Sequence, residues 1–422
     1  MKPSKTNHQE GRLFEYRLSD QLDPYHNLLL FGGLIDWDDL EKDYQELFHQ
    51  EIGAPAKPVR LMAGIFMLQH MAGLSDEETV KVWCENPYWQ LFCGYDYLQW
   101  KFPVHPSSLS RWRKKLGVDG IRRILQELVR CAVDEELIKE TELQQVTVDT
   151  TVMPKNIAYP TDARLYYKSL LSLTRFSKKF KIELRQSYKF LSKRALRKVF
   201  QYIHARKMKQ ARREVKRLKT FFGRVLREVE RKVLKDEELF GIAKGMLSIL
   251  QQVFDQKRSD KNKIYSIHEP HVECISKGKA HKKYEFGCKA SVVMTHKKNF
   301  ILSCEALHGN PFDGHTLKES LRAAERVSGR EIIRAFVDRG YKGHKIKETE
   351  VLISGKRGLS RHFKNQLKRR QAIEPIIGHM KSDGKLGRNF LKGKTGDFIN
   401  ALLCAIGQNI RFILRALSPK PA

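Results

Sequence analysis

Three acids in this chain stand where carboxylates are costly or keep suggestive company. Asp149 sits inside Val146-Thr147-Val148-Asp149-Thr150-Thr151-Val152, a β-branched stretch that reads as a buried strand. A carboxylate there is expensive unless a cation or a donor pairs with it. Asp338 repeats the pattern at the end of the apolar run Glu331-Ile332-Ile333-Arg334-Ala335-Phe336-Val337, with Gly340 permitting a sharp turn behind it. Glu374 lies in Arg369-Arg370-Gln371-Ala372-Ile373-Glu374-Pro375-Ile376-Ile377-Gly378-His379-Met380-Lys381. On one helix, Arg370, Glu374 and Lys381 share a face. Pro375 either kinks that helix or marks the first turn of one starting near Glu374, which leaves Arg370 outside it. Each acid alone has a plain reading: a strand-end Asp satisfied by backbone donors, or a surface Glu between cations. Together, in a basic chain, they suggest a phosphoryl-transfer site in which carboxylates hold two Mg²⁺ ions about 4 Å apart. One ion activates the attacking oxygen and the other steadies the leaving oxygen.

The composition supports a polyanionic partner. The 422 residues carry 79 Lys and Arg against 48 Asp and Glu, a net charge of +31. That balance favours nucleic acid first and an anionic membrane surface second. An apolar content of 41% is that of a folded protein, long enough for two or three domains. No run of about 18 apolar residues is evident, so no membrane span is expected. Seven scattered cysteines, without a Cys-x-x-Cys pair, read as reduced thiols of a cytoplasmic protein rather than a disulfide framework or zinc finger. The spacings of His268, His271, His281 and His379 fit no zinc site either.

These acids need elements to position them. From about Pro24 to Leu137, Gly and Pro punctuation suggests several short helices in a bundle. Ser75-Asp76-Glu77-Glu78 reads as a capping box, and Pro106-Ser107-Ser108 as the cap of a short basic helix through Arg111, Trp112 and Arg113. Two capped helices with a basic second one resemble a helix-turn-helix DNA reader, or else a basic surface helix on a bundle. After the Asp149 strand, residues 161–222 contain neither Gly nor Pro. Apolar residues there recur at helical spacing (Leu173, Phe176, Phe180, Leu184; then Met208, Ala211, Val215, Leu218, Phe222), predicting two or three long helices. Residues 164–232 carry 24 Lys and Arg against 4 Glu, the charge of a DNA-tracking surface rather than an ordinary solvated face. Strand character returns with a hairpin, 284–295 and 300–307, turning at His296–Asn299. A loop 308–315, a helix from about Thr316 to Val327, a strand through 331–341, a short helix at 344–350, a strand at 351–354 and a helical C-terminus complete the chain.

The residues also carry a resemblance. Val148-Asp149-Thr150-Thr151, Val337-Asp338-Arg339-Gly340-Tyr341 and the Arg370, Glu374, Lys381 spacing are similar to the three acidic motifs of bacterial insertion-sequence transposases with an Asp-Asp-Glu site, closest to the insertion sequence five family. So are Tyr284–Lys289, Gly309–Thr316, Leu386–Leu391 and the N-terminal helical region. One departure is Leu367, where related enzymes often have Tyr. The resemblance implies an α/β fold: a ribonuclease H-like, retroviral integrase-type mixed sheet core, with an N-terminal helical domain and a basic all-helical insertion between its first and second core strands. The expected domains are 1–140 (helical, DNA-binding), 141–160 plus 263–418 (catalytic core) and 161–262 (insertion). It implies a Mg²⁺-dependent enzyme, with Mn²⁺ able to substitute, working on double-stranded DNA as element ends and target, as a homodimer and without a membrane. Water attacks at the element's end, and the freed 3′-OH attacks target DNA. By the same resemblance Asp149 would hold both metal ions, Asp338 one and Glu374 the other. Arg370 and Lys381 hold phosphate, with Lys277, Lys279, Lys283, Arg111 and Arg113 as further DNA contacts. The alternatives are a two-metal nuclease without strand transfer, or a catalytically silent DNA-binding derivative.

Overall fold

The β-branched stretch around Asp149 forms the long strand β1 (Gln145–Pro154). The computed structural model describes residues 16–47, 56–276, 283–358 and 360–418. Packing divides the chain into two units, Met1–Pro154 with Cys288–Ala422, and Lys155–Gly287. The boundaries fall at 154/155 and 287/288; the first lies near the expected 160/161, whereas the second lies 25 residues beyond the expected 262/263, because the strand Glu273–Ser276 and its partner residues Tyr284–Gly287 pack with the helical unit.

Ahead of β1 come α1 (Leu18–Gln21), α2 (Asn27–Leu34), α3 (Trp37–Gln45), α4 (Val59–Ala72), α5 (Asp76–Glu85), α6 (Pro87–Phe92), α7 (Ser107–Asp134) and α8 (Glu140–Leu143). The capping box at Ser75 and Glu78 forms as read, each side chain bonding the other's backbone N–H. The second cap does not: the Ser107 amide donates to His105 Nδ1, and α7 runs on to Asp134 through a kink at Gly117, whose φ is +64°. A helix and a long loop separate α5 from α7, so these are not the adjacent pair of a helix-turn-helix. These helices enclose no core of their own. Leu61, Phe66, Leu125 and Leu128 belong to the same apolar cluster as Val146, Val292, Leu302 and Leu402 of the sheet and last helix. A separate domain 1–140 is therefore not what the packing shows.

In the second unit, α9 (Asp162–Lys179), α10 (Lys189–His204) and α11 (Met208–Val233) are the long helices expected of the Gly- and Pro-free stretch, and α12 (Glu237–Asp255) follows beyond it. They pack around α11, whose Leu218, Phe222, Val225 and Val229 are buried as their spacing requires. Met208, at the start of that pattern, is exposed. The unit closes with β2 (Glu273–Ser276), antiparallel to the first residues of β3 (Tyr284–Thr295).

From Cys288 onward β3 belongs to the first unit. It pairs antiparallel with β4 (Ile301–Leu307), giving the expected hairpin. Then follow α13 (Asp313–Ser328), β5 (Arg334–Val337), β6 (Glu350–Ile353), α14 (Arg361–Arg369), α15 (Ile373–Ser382) and α16 (Gly393–Leu417). The strand order is β4-β3-β1-β5-β6, with β5 and β6 parallel to β1. His296 N–H donates to Gln145 O at one end of β1 and Lys155 N–H to Phe286 O just past the other, so β3 runs antiparallel to β1. This mixed sheet is consistent with the ribonuclease H-like core expected. Two local expectations fail. The strand through 331–341 shortens to four residues, because Ile333 and Arg334 both donate to Gln144 O at its entrance and Asp338 opens a 3₁₀ turn at its exit. Residues 344–349 form no helix; His344 Nδ1 instead accepts from Ile346 N–H in a tight turn.

The helix α16 is long and apolar enough to cross a membrane, a run the sequence reading did not register, yet 78% of that stretch is buried inside the protein. It packs on α2, α4, α7 and β4, and a Cβ on Gly407 would run into the His70 carbonyl of α4. Leu402, Leu403, Ile406 and Ile410 are fully buried there, each contributing about 1.5–3 kcal/mol by removal from water.

Candidate active site

Parallel pairing brings the first two acids together. Gln145 pairs with Arg334, Val146 with Ala335 and Thr147 with Phe336. Two steps further along the same register, Asp149 stands beside Asp338. Asp338 leaves the strand as the cap of a 3₁₀ turn, Arg339–Tyr341, its Oδ1 accepting from Gly340 N–H at 2.8 Å. Asp149 Oδ1 accepts from Thr150 N–H at 2.8 Å. Part of the plain reading, a carboxylate satisfied by backbone donors, thus holds for both acids.

A third acid joins them, and sequence reasoning missed it. Asp313 is the first residue of α13, three residues before the expected helix start. Its Oδ1 accepts from Thr150 Oγ1 at 3.0 Å and from Lys289 Nζ at 3.1 Å, and Lys289 Nζ also donates to Pro311 O at 2.8 Å. A point one Cβ bond from Gly340 lies 3.0 Å from Asp338 Oδ1 and 3.4 Å from Asp313 Oδ2, so the two carboxylates flank that glycine. The available signal was the helix-start preference for Asp in Pro311-Phe312-Asp313-Gly314, where an acid meets the positive end of the helix dipole.

The electrostatics follow from this crowding. Burial pushes the Asp149 carboxyl up to about 6, and Asp338 and Asp313 push it the same way against the Thr150 amide and Arg370. Tyr341 is fully buried, and its hydroxyl has no hydrogen-bond partner among the described residues. Burial, then Asp149, Asp313 and Asp338, raise that phenol well above its usual range. Clustered carboxylates that repel one another beside an orphaned hydroxyl are a donor set fitted to hard divalent cations, which prefer oxygen ligands.

Glu374 is carried by α15, which packs against β1. The chain stays right-handed from α14 through a 3₁₀ turn, Arg370–Ala372, into α15. Pro375 explains the tightened turn: it has no N–H for the Gln371 carbonyl, so the regular α pattern breaks there. Arg370 lies outside α15, as one alternative required, yet its Nη1 reaches Asp149 Oδ2 at 3.5 Å. Glu374, about one helical turn on, is exposed, and no hydrogen bond or ion pair engages it among the described residues. Lys381 is half-buried in the last turn of α15. The structure therefore gathers Asp149, Asp338, Asp313 and Arg370; among the described residues no hydrogen bond or ion pair ties Glu374 to them, while its helix α15 packs on β1.

Of the remaining DNA-contact candidates, Lys277 and Lys279 lie outside the described residues. Lys283 is exposed over the Tyr284 ring, and Arg111 is exposed on α7. Arg113 is a correction: its side chain is only 7% exposed and forms an ion pair with Asp76. Its Nη1 donates to Gln69 Oε1 at 3.1 Å, and its guanidinium lies 5.4 Å from the Phe66 ring centroid. Two residues along α7 is about 200° around the helix axis, which turns Arg113 inward and Arg111 outward.

An acid cluster on a mixed sheet is a site suited to metal-assisted chemistry on phosphodiesters. Residues 16–115 match the transposase domain family (DUF772), and residues 257–410 match the transposase DDE domain family. The second match contains Asp313, Asp338 and Glu374; Asp149 precedes it, across the helical segment. The uncharacterized protein ORF8 in the nfe locus of Rhizobium meliloti is 42% identical over 206 residues, 49% of this chain and 99% of that protein. No solved structure matches. The chain belongs to the DDE transposases of bacterial insertion sequences, which are polynucleotidyl transferases acting on DNA.

Proposed function

We propose that this transposase cuts the ends of its own element and joins the freed 3′-OH to target DNA, with Mg²⁺ bound at the aspartate cluster. The observation that carries this reading is the convergence of Asp149, Asp338 and Asp313 at one level of the sheet, with Arg370 beside them. Asp149 and Asp338 hold the divalent ions from the strands, and Glu374 joins them from α15. Bound there, the ions supply a lowered pKa for the attacking water or hydroxyl and charge neutralisation at the scissile phosphate. Asp313 acts through its neighbours, fixing Lys289 and Thr150 against the cluster. Arg370 steers Asp149 and offers its remaining donors to a non-bridging phosphate oxygen. The buried Tyr341 hydroxyl faces the same charges and donates to whatever oxygen the loaded site presents.

Lys381, Lys283 and Arg111 are exposed or half-exposed cations placed to hold DNA backbone; Lys277 and Lys279 complete that set in sequence. The helices α9–α11 add the largest excess of positive charge in the chain, which favours a duplex-tracking role. The spacing of Arg370, Glu374 and Lys381 supports the insertion sequence five group. Work on two element ends at once supports a homodimer on DNA.

The test is a cleavage and joining assay with the full chain, Mg²⁺ and labelled DNA carrying the flanks of the gene's own locus, beside Asp338→Ala. Metal-dependent nicks at the ends followed by 3′-joined products, both absent in the variant, support the reading. Nicks without joined products reduce the protein to a nuclease. Binding without cutting in Mg²⁺ or Mn²⁺ leaves a DNA-binding derivative.

A further inference from the structure

On the other face of the hairpin lies a second cluster of a different chemical kind. The β3–β4 register pairs Lys289 with Leu307 and Ala290 with Ala306. One step beyond, Cys288 stands opposite His308. Side chains directly opposite in an antiparallel pair share a face. Lys289 points to the opposite face, towards Asp313. Asp397, in the second turn of α16, comes down onto Cys288 and His308. The thiol, one imidazole nitrogen and one carboxylate oxygen all lie within 4.8 Å of one another.

We propose that Cys288, His308 and Asp397 bind one zinc-class divalent cation that pins α16 to the sheet. The donor set is the first argument. Thiolate, imidazole and carboxylate together suit zinc and its neighbours, whereas Mg²⁺ takes oxygen ligands. Spacing is the second. His308 Nε2 lies 3.6 Å from Asp397 Oδ2, beyond a good N–H···O hydrogen bond. Two ligand atoms each about 2 Å from a tetrahedral zinc are about 3.3 Å apart. Support from behind is the third. Asp397 Oδ1 accepts from Asn389 Nδ2 at 2.6 Å, and Asn389 is itself fully buried. Its Oδ1 accepts from Leu391 N–H at 2.8 Å and its own N–H donates to Pro154 O at 2.7 Å. Metal-binding carboxylates are commonly held in this way by an outer hydrogen bond. Burial is the fourth: Cys288 and Asp397 are 2% and 6% exposed, and a cation offsets the cost of two buried acids. These residues are 20 and 89 positions apart along the chain, so no spacing motif announces them.

The experiment titrates Co²⁺ into the full-length protein under reducing conditions, with Mg²⁺ in excess to occupy the aspartate cluster. The expected result is a thiolate-to-cobalt charge-transfer band saturating at one ion per chain and bleached by Zn²⁺. It persists in Asp338→Ala and disappears in Cys288→Ser. Asp397→Asn and Asn389→Ala keep the thiol and are expected to weaken Co²⁺ affinity by about 10–100-fold; they serve if the serine variant does not fold. No band in the wild type, a band of full intensity in Cys288→Ser, or unchanged affinity in Asp397→Asn would each overturn the proposal.

Discussion

Asp149 and Asp338 occupy the same level of two neighbouring parallel strands, because the pairing of Thr147 with Phe336 continues two residues on. Burial first, and then the neighbouring Asp338, disfavour the charged form of Asp149. The consequence is measurable without DNA. A carboxyl raised from its ordinary value to about 6 costs the folded state nothing below about pH 4, progressively more from about pH 4 to 6, and a constant amount above that. Asp149→Asn, compared with wild type in EDTA, should therefore gain relative stability between pH 4 and pH 7, by at most about 3 kcal/mol. Thermal melts at the two pH values check the sign. Added Mg²⁺ should then stabilise the wild type more than the variant, since a cation at the cluster removes the repulsion.

Tyr341→Phe separates stability from activity. The hydroxyl is buried with no partner among the described residues, and an unsatisfied buried polar group costs about 1–3 kcal/mol. Its removal should leave the melting temperature unchanged or higher. Cleavage should fall about tenfold if the hydroxyl donates one hydrogen bond to the loaded site. A variant as active as wild type would remove Tyr341 from the mechanism.

Arg111 and Arg113 are two residues apart and should behave as opposites. Arg113→Ala leaves Asp76 with only the Gln69 amide as hydrogen-bond partner among the described residues and should cost folding stability, by up to about 3 kcal/mol, as loss of one partner of a largely buried pair does. Arg111→Ala should leave the melt unchanged while lowering DNA affinity and reducing the salt slope by about 1. Chemical denaturation and binding at two salt concentrations distinguish them.

On α11, Lys209, Arg213 and Lys216 are exposed. Reversing all three to Glu should weaken binding to any duplex sequence alike and flatten its salt dependence by about 3 in the log–log slope. An unchanged slope would mean that this helix does not touch the backbone. Since the side chains lie off the α11 apolar stripe, the melt should move little.

For Asp313→Asn, the expectation is a loss of rate with little loss of DNA affinity. The amide cannot pair with the Lys289 ammonium as a carboxylate does, so Lys289 loses its anchor at the cluster. Single-turnover rates at saturating protein, set beside Kd, check this split. An equal fall in both would mark Asp313 as a binding group instead.

The sequence by itself determined the elements that depend on short-range chemistry. The β-branched run around Asp149, the hairpin through Thr295 and Ile301, the capping box at Ser75 and the apolar stripe of α11 were all legible, because period, turn and cap are local properties. The acids Asp149 and Asp338 were legible as costly charges at strand positions. Other features were settled only by tertiary packing. The N-terminal helices share a core with the sheet because α4, α7 and α16 bury one another's apolar faces, which no local pattern states. Arg113 is inward and Arg111 outward because of where Asp76 and Gln69 come to rest. Asp313 joins the acids, and Cys288 meets His308 and Asp397, through strand register and helix docking between residues far apart in the chain. Glu374 shows the same division: its spacing from Arg370 is plain in the sequence, but the packing of α15 against β1 joins residues more than two hundred positions apart, and no local pattern states it.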